Sequence, residues 1–581
     1  MLFKTRLESL GSKFFHQNGF GDDQHPLGYD FALHSWLPSM IQALSLSFPT
    51  PHSTPSPLSN LSLSQLEPPK YLLILKEKNL KPESTKMTPT VPTLSQNNPI
   101  KFCENGSKVK PLIGEIIRNE RLSEKEWGQD VRSIEIFIQQ SFNQTGKSAN
   151  FESGDILCVL PENPKTVVEK MLEEFGLQGE KEISGIFFNT KFPFYSPSQN
   201  ADFFTSISFP ISLFHFFSKY LNICGTPRRF FYQQLAHFAT NEKQKEKLEY
   251  FGRGEGQSEL FAYNNKEKRQ FHEVFSEFDS ARPPLSHLIS LIGPLEEKMF
   301  TISSPPPFLP PFPLPSPPPS PNHPPFPLPT YPLPVDTQLH SIPKDGDPSG
   351  KMNEGLKVER GEGLKVKREG LKVEITMAVI EFETPLKRKR RGVCSGWMSE
   401  RKEGEEVRVW IKKGAVHIPL KKQKFPFIFV GPGTGCSLFK CFIGERSLLR
   451  KIEQVEVGET HFYFGCRHQN QDFLYKSFWD EMCKEKTIHS FNVAFSRDQE
   501  EKVYVQHLLL KNGKQICQLI LNKQAHIIVS GNAKKMPKEV RDAFLQILLR
   551  FSDNLFAVEE QAEQYIRNME LNGRYQTETW N

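Results

Sequence analysis

Residues 305–335 read PPPFLPPFPLPSPPPSPNHPPFPLPTYPLPV, and neither helix nor sheet can be built from them. Proline lacks the backbone donor and its ring fixes φ. Polyproline II is the local form left to such a run. A crude repeat follows it. Residues 354–374 read EGLKVERGEGLKVKREGLKVE, with G-L-K-V units spaced eight and then seven residues apart. Three units this short do not make a solenoid, so 305–372 reads as low-complexity sequence. Its last copy merges into an expected strand, VEITMAVIEF at 373–382. Patterned sequence flanks the segment on both sides, so it is expected to be an insertion into a folded region and not a linker between domains.

Upstream, 109–300 has mixed patterning. SIEIFI (133–138) and DILCVL (155–160) read as strands. PKTVVEKMLEEFGL (164–177) reads as a helix, with proline near its start, apolar residues at helical spacing and glycine near its end. RRFFYQQLAHFA (228–239) and KRQFHEVFSEF (268–278) also carry a helical pattern, which predicts a helical subdomain over about 211–290. Before this region, 49–108 is rich in Ser, Pro and Asn and reads as a linker. Residues 1–48 form a separate short piece with a helical segment near Trp36–Leu44.

Downstream of 423 the pattern alternates. Strands are expected at 425–430, 461–465, 490–495 and 525–531, with helices at 437–453, 472–483, 503–520 and 537–551. Alternation of this kind predicts a parallel sheet with helical crossovers.

Composition narrows the function classes. The chain has 581 residues, room for roughly three or four domains. Its apolar share is 37%, below the ~45–50% of a wholly globular chain, and its 46 prolines are unevenly spread. The formal charge of +6 is mild, and part of it sits in LKRKRRG at 386–392, so no nucleic-acid coat is indicated. That basic run is expected to be a loop of the folded region. The nine cysteines include no C-x-x-C pair, which argues against zinc or iron–sulfur ligation and fits a reducing compartment. No run of about 18 apolar residues appears, so no membrane span is expected, and the N-terminus lacks the apolar core of a signal peptide. The expected location is cytoplasmic.

Two stretches carry chemistry. In FIFVGPGTGCSLFKCFIGER (427–446) a strand runs through Gly431-Pro-Gly433-Thr434-Gly435 into a helix. Glycines let a backbone approach a phosphate, and the helix N-terminus offers unpaired N–H groups. An ordinary strand–helix turn reads the same way, and this is not the G-x-G-x-x-G fingerprint. About sixty residues on, FSRDQEEKVYVQH (495–507) gathers Ser496, Arg497, Lys502, Tyr504 and Gln506. Arg offers a fork, Lys a point charge and Ser a short donor, a set that suits a phosphate monoester. A solvated loop leading into a helix is the alternative. If both stretches end strands of one parallel sheet, they share the edge where ligands bind, and a dinucleotide phosphorylated on its ribose, NADPH, fits better than NADH. KMFTISSP (298–305) and RGVCSGW (391–397) are uninformative taken singly.

Taken together the segments are familiar. KMFTISS, RGVCS, VGPGTG, FGCRHQNQDFLY, AFSRDQEEKVYVQH, SGNAKKMPKEV and GRYQTETW stand in this order. They resemble the diflavin reductases, and among them the NADPH-dependent diflavin oxidoreductases of cytosolic iron–sulfur protein assembly. The resemblance covers about 109–304 and 373–581. It implies an antiparallel FAD-binding β-barrel with a helical insert, interrupted by 305–372 and resumed over 373–422. An α/β parallel-sheet NADP-binding domain is expected to follow over 423–581. It also implies electron flow from NADPH to FAD, then FMN, then an anamorsin-type iron–sulfur protein.

By the same resemblance, Thr434, Ser496, Arg497, Lys502, Val503, Tyr504, Val505, Gln506 and Glu539 fall on NADPH positions. Lys268, Lys298, Met299, Phe300, Thr301, Gly392, Val393, Cys394, Ser395 and Trp580 fall on FAD positions. Thr301, Glu578 and Trp580 fall where hydride transfer is organised, with Trp580 stacking on the flavin until the nicotinamide displaces it. Residues 19–40 resemble the end of the family's flavodoxin domain, and Asp23 falls on a flavin-contacting position. A piece of about 48 residues cannot build that core alone, so FMN is not expected to bind.

Other departures bear on affinity. Lys268 and Lys298 stand where the family has arginine, Thr301 where it has serine, and Glu539 where it has aspartate. Lysine cannot make the paired bonds of a guanidinium, so FAD is expected to be held less tightly. A non-catalytic alternative rests on the P-x-x-P spacings of the proline-rich segment, which suit an SH3- or WW-like groove.

Overall fold

The computed structural model describes residues 39–40, 66–75, 108, 110–139, 150–189, 203–204, 207–307, 370–452 and 455–580. In the first half the strands are β1 (Tyr71–Leu75), β2 (Leu112–Arg121), β3 (Val131–Gln139), β4 (Ile156–Leu160), β5 (Glu182–Phe188), β6 (Ile211–Ser212) and β7 (Lys298–Thr301). Then come β8 (Gly370–Ala378), β9 (Glu381–Glu383), β10 (Lys389–Arg391) and β11 (Glu406–Lys412). The last five are β12 (Phe427–Pro432), β13 (Thr460–Cys466), β14 (Ser490–Phe495), β15 (His526–Asn532) and β16 (Tyr575–Trp580).

Six strands form one antiparallel sheet in the order β7-β4-β11-β2-β3-β8. Its two edge strands meet. Ile302 bridges Ile375, and the Ser303 N–H donates to the Glu374 carbonyl at 2.7 Å. The sheet therefore closes into a barrel and leaves no exposed edge at this seam. Alternate residues fill its interior, among them Ile134, Ile136, Ile138, Val159, Val373, Ile375 and Val409.

The seam explains how a long interruption is tolerated. The described chain leaves β7 and stops at Pro307, then returns as β8 at Gly370. The proline-rich run from Phe308 and the first two G-L-K-V units lie outside the described residues. The third unit does not: it belongs to β8, which starts at Gly370 and not at 373. Its alternation is strand-competent. Leu371 and Val373 are buried in the barrel, while Lys372 between them pairs with Glu135.

Helix α1 (Lys165–Glu174) follows Pro164, and Gly176 just beyond it takes a left-handed φ of 61°. The helical subdomain is α2 (Leu213–Lys219), α3 (Arg229–Leu235), α4 (Glu242–Gly252), α5 (Gln257–Leu260), α6 (Phe271–Glu277) and α7 (Leu285–Ile292). It packs through one aromatic-rich core with Phe216, Phe231, Tyr232, Phe275 and Phe278.

The stretch expected as a linker contains β1, which pairs antiparallel with β5. Tyr71 packs edge-on against Phe204 at 5.0 Å, while Leu72 and Ile74 face solvent. Five apolar residues inside a Ser/Pro-rich stretch are too short a signal to stand out. Of the piece 1–48 only 39–40 lie within the described residues, so Asp23 and the expected flavodoxin remnant fall outside them.

After α8 (Val393–Ser399) and β11, the chain builds a five-stranded parallel sheet in the order β14-β13-β12-β15-β16. Its helices are α9 (Cys436–Ile452), α10 (Lys476–Lys484), α11 (Val505–Lys511), α12 (Gly513–Leu521), α13 (Met536–Phe551) and α14 (Glu559–Leu571). Strand β12 is buried on both faces. Phe427 and Phe429 pack towards α9 and α10, while Ile428 and Val430 pack towards α11 to α14. Two expected helices are adjusted. The one at 503–520 is broken at Asn512 into α11 and α12, and α10 starts only after Tyr475, whose φ is 58°. β16, not anticipated from sequence, adds the final parallel strand beside β15.

Candidate active site

The parallel strands β12, β13, β14 and β15 end on one edge, at Pro432, Cys466, Phe495 and Asn532. The turn after β12 needs its glycines. Gly433 has φ 58°, and a Cβ on Gly435 would stand 2.2 Å from the Ser530 carbonyl oxygen. Thr434 lies half-buried between them, and α9 starts at Cys436.

The 495–507 stretch leaves the same edge. The Ser496 N–H donates to the Cys466 carbonyl and the Arg497 N–H to the Arg467 carbonyl, each at 2.9 Å. Ser496 is half-buried, and Arg497, Lys502 and Tyr504 are exposed. Next to them Asp498 accepts from the Gln469 N–H at 2.8 Å and meets His468 Nδ1 at 2.7 Å, which fixes the loop against β13. Val503 is half-buried and Val505 is buried beside Gly465. Tyr504 caps α11. In the first turn of that helix the Gln506 amide donates to Glu539 Oε2 at 2.8 Å, which joins two residues 33 apart in sequence.

On the barrel side β7 carries Lys298 and Met299 exposed, Phe300 half-buried and Thr301 buried. The turn into α8 lies close by. Burial pushes the Cys394 thiol up to about 12, and the nearby Lys298 charge opposes that shift. A Cβ on Gly392 would meet Ser395 Oγ at 2.4 Å, and that hydroxyl accepts from the Ile380 N–H at 3.1 Å. Val393 is half-buried at the first turn of α8.

Lys268 stands apart from this group. It is exposed, with a left-handed φ of 45°, between buried Glu267 and buried Arg269. Glu267 accepts from Thr384 Oγ1 and from the Leu386 N–H, tying the turn to the β9–β10 hairpin. The basic run 386–391 is thus the tip and return of a hairpin of the fold. Arg269 is the buried cation here, stacked 3.9 Å from the Tyr263 ring and paired with Glu277.

The two sides meet at Thr301. Its hydroxyl donates to Glu578 Oε1 in β16, and its carbonyl accepts from Ser437 Oγ on α9 at 3.1 Å. Burial raises the Glu578 carboxyl above the usual range, and the Thr301 bond partly offsets it. Glu578 Oε2 has no partner among the described residues. Neither has Ser530 Oγ, on the register partner of Glu578 in β15. Trp580 lies two residues beyond Glu578 on the same face of β16, partly exposed, its carbonyl accepting from the Ala533 N–H at 2.9 Å.

Glu578 Oε2 and Ser530 Oγ are two of sixteen buried side-chain atoms without a hydrogen-bond partner among the described residues, and these two lie on adjacent strands at the sheet edge. Ser530 Oγ and Glu578 Oε2 thus set a free hydroxyl beside a free carboxyl oxygen, next to the Gly433–Gly435 turn. Ser437 and Ser530 were not anticipated. Each is one hydroxyl at a strand end or helix start, and only the packing of β7 against α9 and β16 gives it a role. Among the described residues there is no cluster of three or more His, Cys, Asp or Glu able to hold a metal, and no helix long and apolar enough to cross a membrane.

Residues 105–310 match the family described as FAD binding domain, and 429–542 match the oxidoreductase NAD-binding domain. The first match stops where the interruption begins, so β8 and β11, which complete the barrel, lie beyond it. The chain is 30% identical to NADPH-dependent diflavin oxidoreductase 1 of Arabidopsis thaliana over 99% of its length and 81% of the relative. For the proteins of the same name in Xenopus laevis and Dictyostelium discoideum the identities are 30% and 29%, over 99% and 94% of this chain and 81% and 73% of the relatives. With FAD- and NADP-binding domains and this relationship, the chain is an NADPH-dependent flavoprotein oxidoreductase and belongs to the NADPH-dependent diflavin oxidoreductase family.

Proposed function

We propose that the chain takes electrons from NADPH onto FAD at the Thr301–Glu578 junction and passes them on to an iron–sulfur protein of the anamorsin type in the cytoplasm. FAD, when bound, supplies the chemistry that converts a two-electron hydride donor into one-electron transfers. FMN stands between FAD and the acceptor in the family; this chain is not expected to hold it, and Asp23 alone falls on one of its contact positions.

The chain's own residues do the rest. Ser496, Arg497 and Lys502 hold the ribose phosphate of NADPH, with Tyr504 and the Gln506–Glu539 pair at the adjoining ribose and adenine. Thr434 and the Gly433–Gly435 turn take the pyrophosphate. Lys298, Met299, Phe300 and the Gly392–Ser395 turn hold FAD, with Lys268 at its far end. Thr301 orients the Glu578 carboxylate by donating to one oxygen. The other oxygen and Ser530 Oγ are left for the nicotinamide amide. Trp580 covers the flavin ring and excludes water until the nicotinamide enters.

The observation that supports this reading most is the Thr301–Glu578 hydrogen bond between the barrel strand β7 and the nucleotide strand β16. The test is reduction of ferricyanide, and then of a purified [2Fe–2S] acceptor of the anamorsin type, by the full chain supplied with FAD. Faster turnover with NADPH than with NADH, and transfer to the acceptor, is expected. Equal rates with both nucleotides would remove the clamp assignment, and ferricyanide reduction without transfer would remove the acceptor. The P-x-x-P spacings behind the non-catalytic alternative belong to the proline-rich run, of which only residues 305–307 are described, and no observation favours that reading.

A further inference from the structure

One buried polar cluster is left unused by the reading above. The Glu374 carboxylate on β8 is 7% exposed. It accepts from Ser133 Oγ on β3 at 2.6 Å, from Lys440 Nζ on α9 at 2.6 Å and from the Tyr475 hydroxyl at 3.2 Å. That hydroxyl also lies 2.7 Å from Thr376 Oγ1. The Lys440 ammonium sits 4.9 Å from the centre of the Tyr475 ring. Three of these residues belong to the barrel and two to the nucleotide half. Tyr475 holds a left-handed backbone with φ 58°, uncommon for an aromatic residue and held only where surroundings enforce it.

The cluster lies across the barrel seam from the hydride junction. Lys440 follows Ser437 by three residues, so both stand on one face of α9. Ser437 binds the Thr301 carbonyl of β7, and Lys440 binds Glu374 of β8. Between the two strands run the Ile302–Ile375 bridge, the Ser303 N–H to the Glu374 carbonyl, and the Glu374 N–H to Ser304 Oγ at 3.1 Å. Helix α9 therefore grips both sides of the one seam that the interruption separates in sequence.

A buried ion pair is weak evidence for stability, because desolvation offsets most of its attraction. Its better-attested use is to select one arrangement among several of similar energy. Burial by itself would raise the Glu374 carboxyl, yet Lys440, with Ser133 and Tyr475, holds it below its ordinary value, which favours the carboxylate.

We propose that Glu374, Lys440 and Tyr475 are positioning residues for hydride transfer, locking the seam strands against α9 so that Thr301 meets Glu578. The inference rests on the assignment of Thr301 and Glu578 given above. It separates geometry from stability, because replacing both charges by apolar groups removes the lock without leaving a buried charge unpaired.

The test is single-turnover flavin reduction by NADPH in the full chain carrying Glu374→Leu with Lys440→Met, beside the unaltered chain. Flavin content and KM for NADPH are expected to hold, with a small fall in melting temperature from the Ser133 hydroxyl left without its carboxylate. The reduction rate is expected to fall tenfold or more, with a larger isotope effect from NADPH deuterated at the transferred position. Tyr475→Phe, which removes only a hydroxyl, is expected to slow reduction several-fold with the same isotope signature. Unchanged rates in both variants would overturn the inference and leave the site assignment standing. So would losses of flavin, melting temperature and rate that run in parallel, since they describe a structural role only. An unaltered chain that binds FAD but is not bleached by NADPH would overturn the site assignment and this inference together.

Discussion

The nucleotide half and the flavin half meet at one junction, yet they assemble their parts at different ranges along the chain. On the parallel sheet, Ser496, Arg497, Lys502, Tyr504 and Gln506 come from one strand end and the helix start that follows it. On the barrel, Thr301 and Ser395 stand on opposite sides of the interruption, and Thr301 finds its carboxylate partner 277 residues away. The parallel half writes its site in consecutive residues because every βα unit delivers a loop to the same edge. The barrel half depends on closure, and closure depends on β7 finding β8 across whatever lies between them.

The strongest way to break this comparison is Glu578→Gln. If the junction is where the halves cooperate, flavin content stays and the rate of flavin reduction by NADPH falls by about 10²–10³, the usual cost of removing one preorganised charge-stabilising group. A variant that reduces its flavin at an unchanged rate would show that the halves meet elsewhere.

Arg497→Met probes the local half alone. Losing one charged hydrogen bond to a phosphate costs about 1.5–3 kcal/mol, so KM for NADPH is expected to rise about 10- to 100-fold. Turnover with NADH should be untouched, and an equal loss for both nucleotides would remove the phosphate assignment.

Replacing 308–369 by a connection of a few residues probes closure. The entropy of a loop grows by about 0.6 kcal/mol per doubling of length, so the gain in stability is about 2 kcal/mol, with flavin content and reduction rate unchanged. Loss of flavin on shortening would mean that the segment is part of the barrel.

Acid should strain the nucleotide half through the N-terminal ends of its strands. Burial lowers His526 to about 4, and burial also lowers His461 and His489, so these rings are neutral in the folded chain. The unfolded chain takes up protons near pH 6.5. Their contribution is therefore complete above about pH 6.5 and is lost below it, for His526 as pH falls towards 4. His526→Phe, which keeps a ring against Phe427, should flatten the fall in melting temperature over that range; an unchanged fall would exclude His526 as its source.

The smallest effect expected is that of Lys298→Arg. Lys298 is exposed and 3.7 Å from Glu296, so a forked cation there should tighten FAD by tenfold or less. No change in FAD affinity would place the flavin phosphates away from this strand.

The same difference in range decided what was legible in the sequence. The strands β12 to β15 and the helices between them announced themselves through β-branched and aromatic runs alternating with 3.6-residue periodicity. The Ser496–Gln506 cluster stood out for the same reason, but its residues alone read equally as a solvated loop, and only the resemblance decided for a phosphate. The barrel was harder. β1 hid in a Ser/Pro-rich stretch, and β8 began inside a repeat that looked like padding, because Leu371-Lys372-Val373 alternates by the same two-residue period as any strand. Ser437, Ser530 and the cluster around Glu374 could not be read at all. Each is an ordinary residue locally and gains meaning only from strands that pair across long sequence separations. Lys268 was marked only by a familiar position; the structure places it at the surface, with Arg269 buried beside it.

The account stands most directly on one measurement, the anaerobic absorbance of the purified, FAD-supplied chain mixed with one equivalent of NADPH. The flavin bands should bleach within a single turnover with NADPH and far more slowly with NADH, as one barrel closed across its interruption would allow. A chain that binds FAD and keeps its bands after NADPH is added would contradict it, because the two halves would then fold without meeting at Thr301 and Glu578.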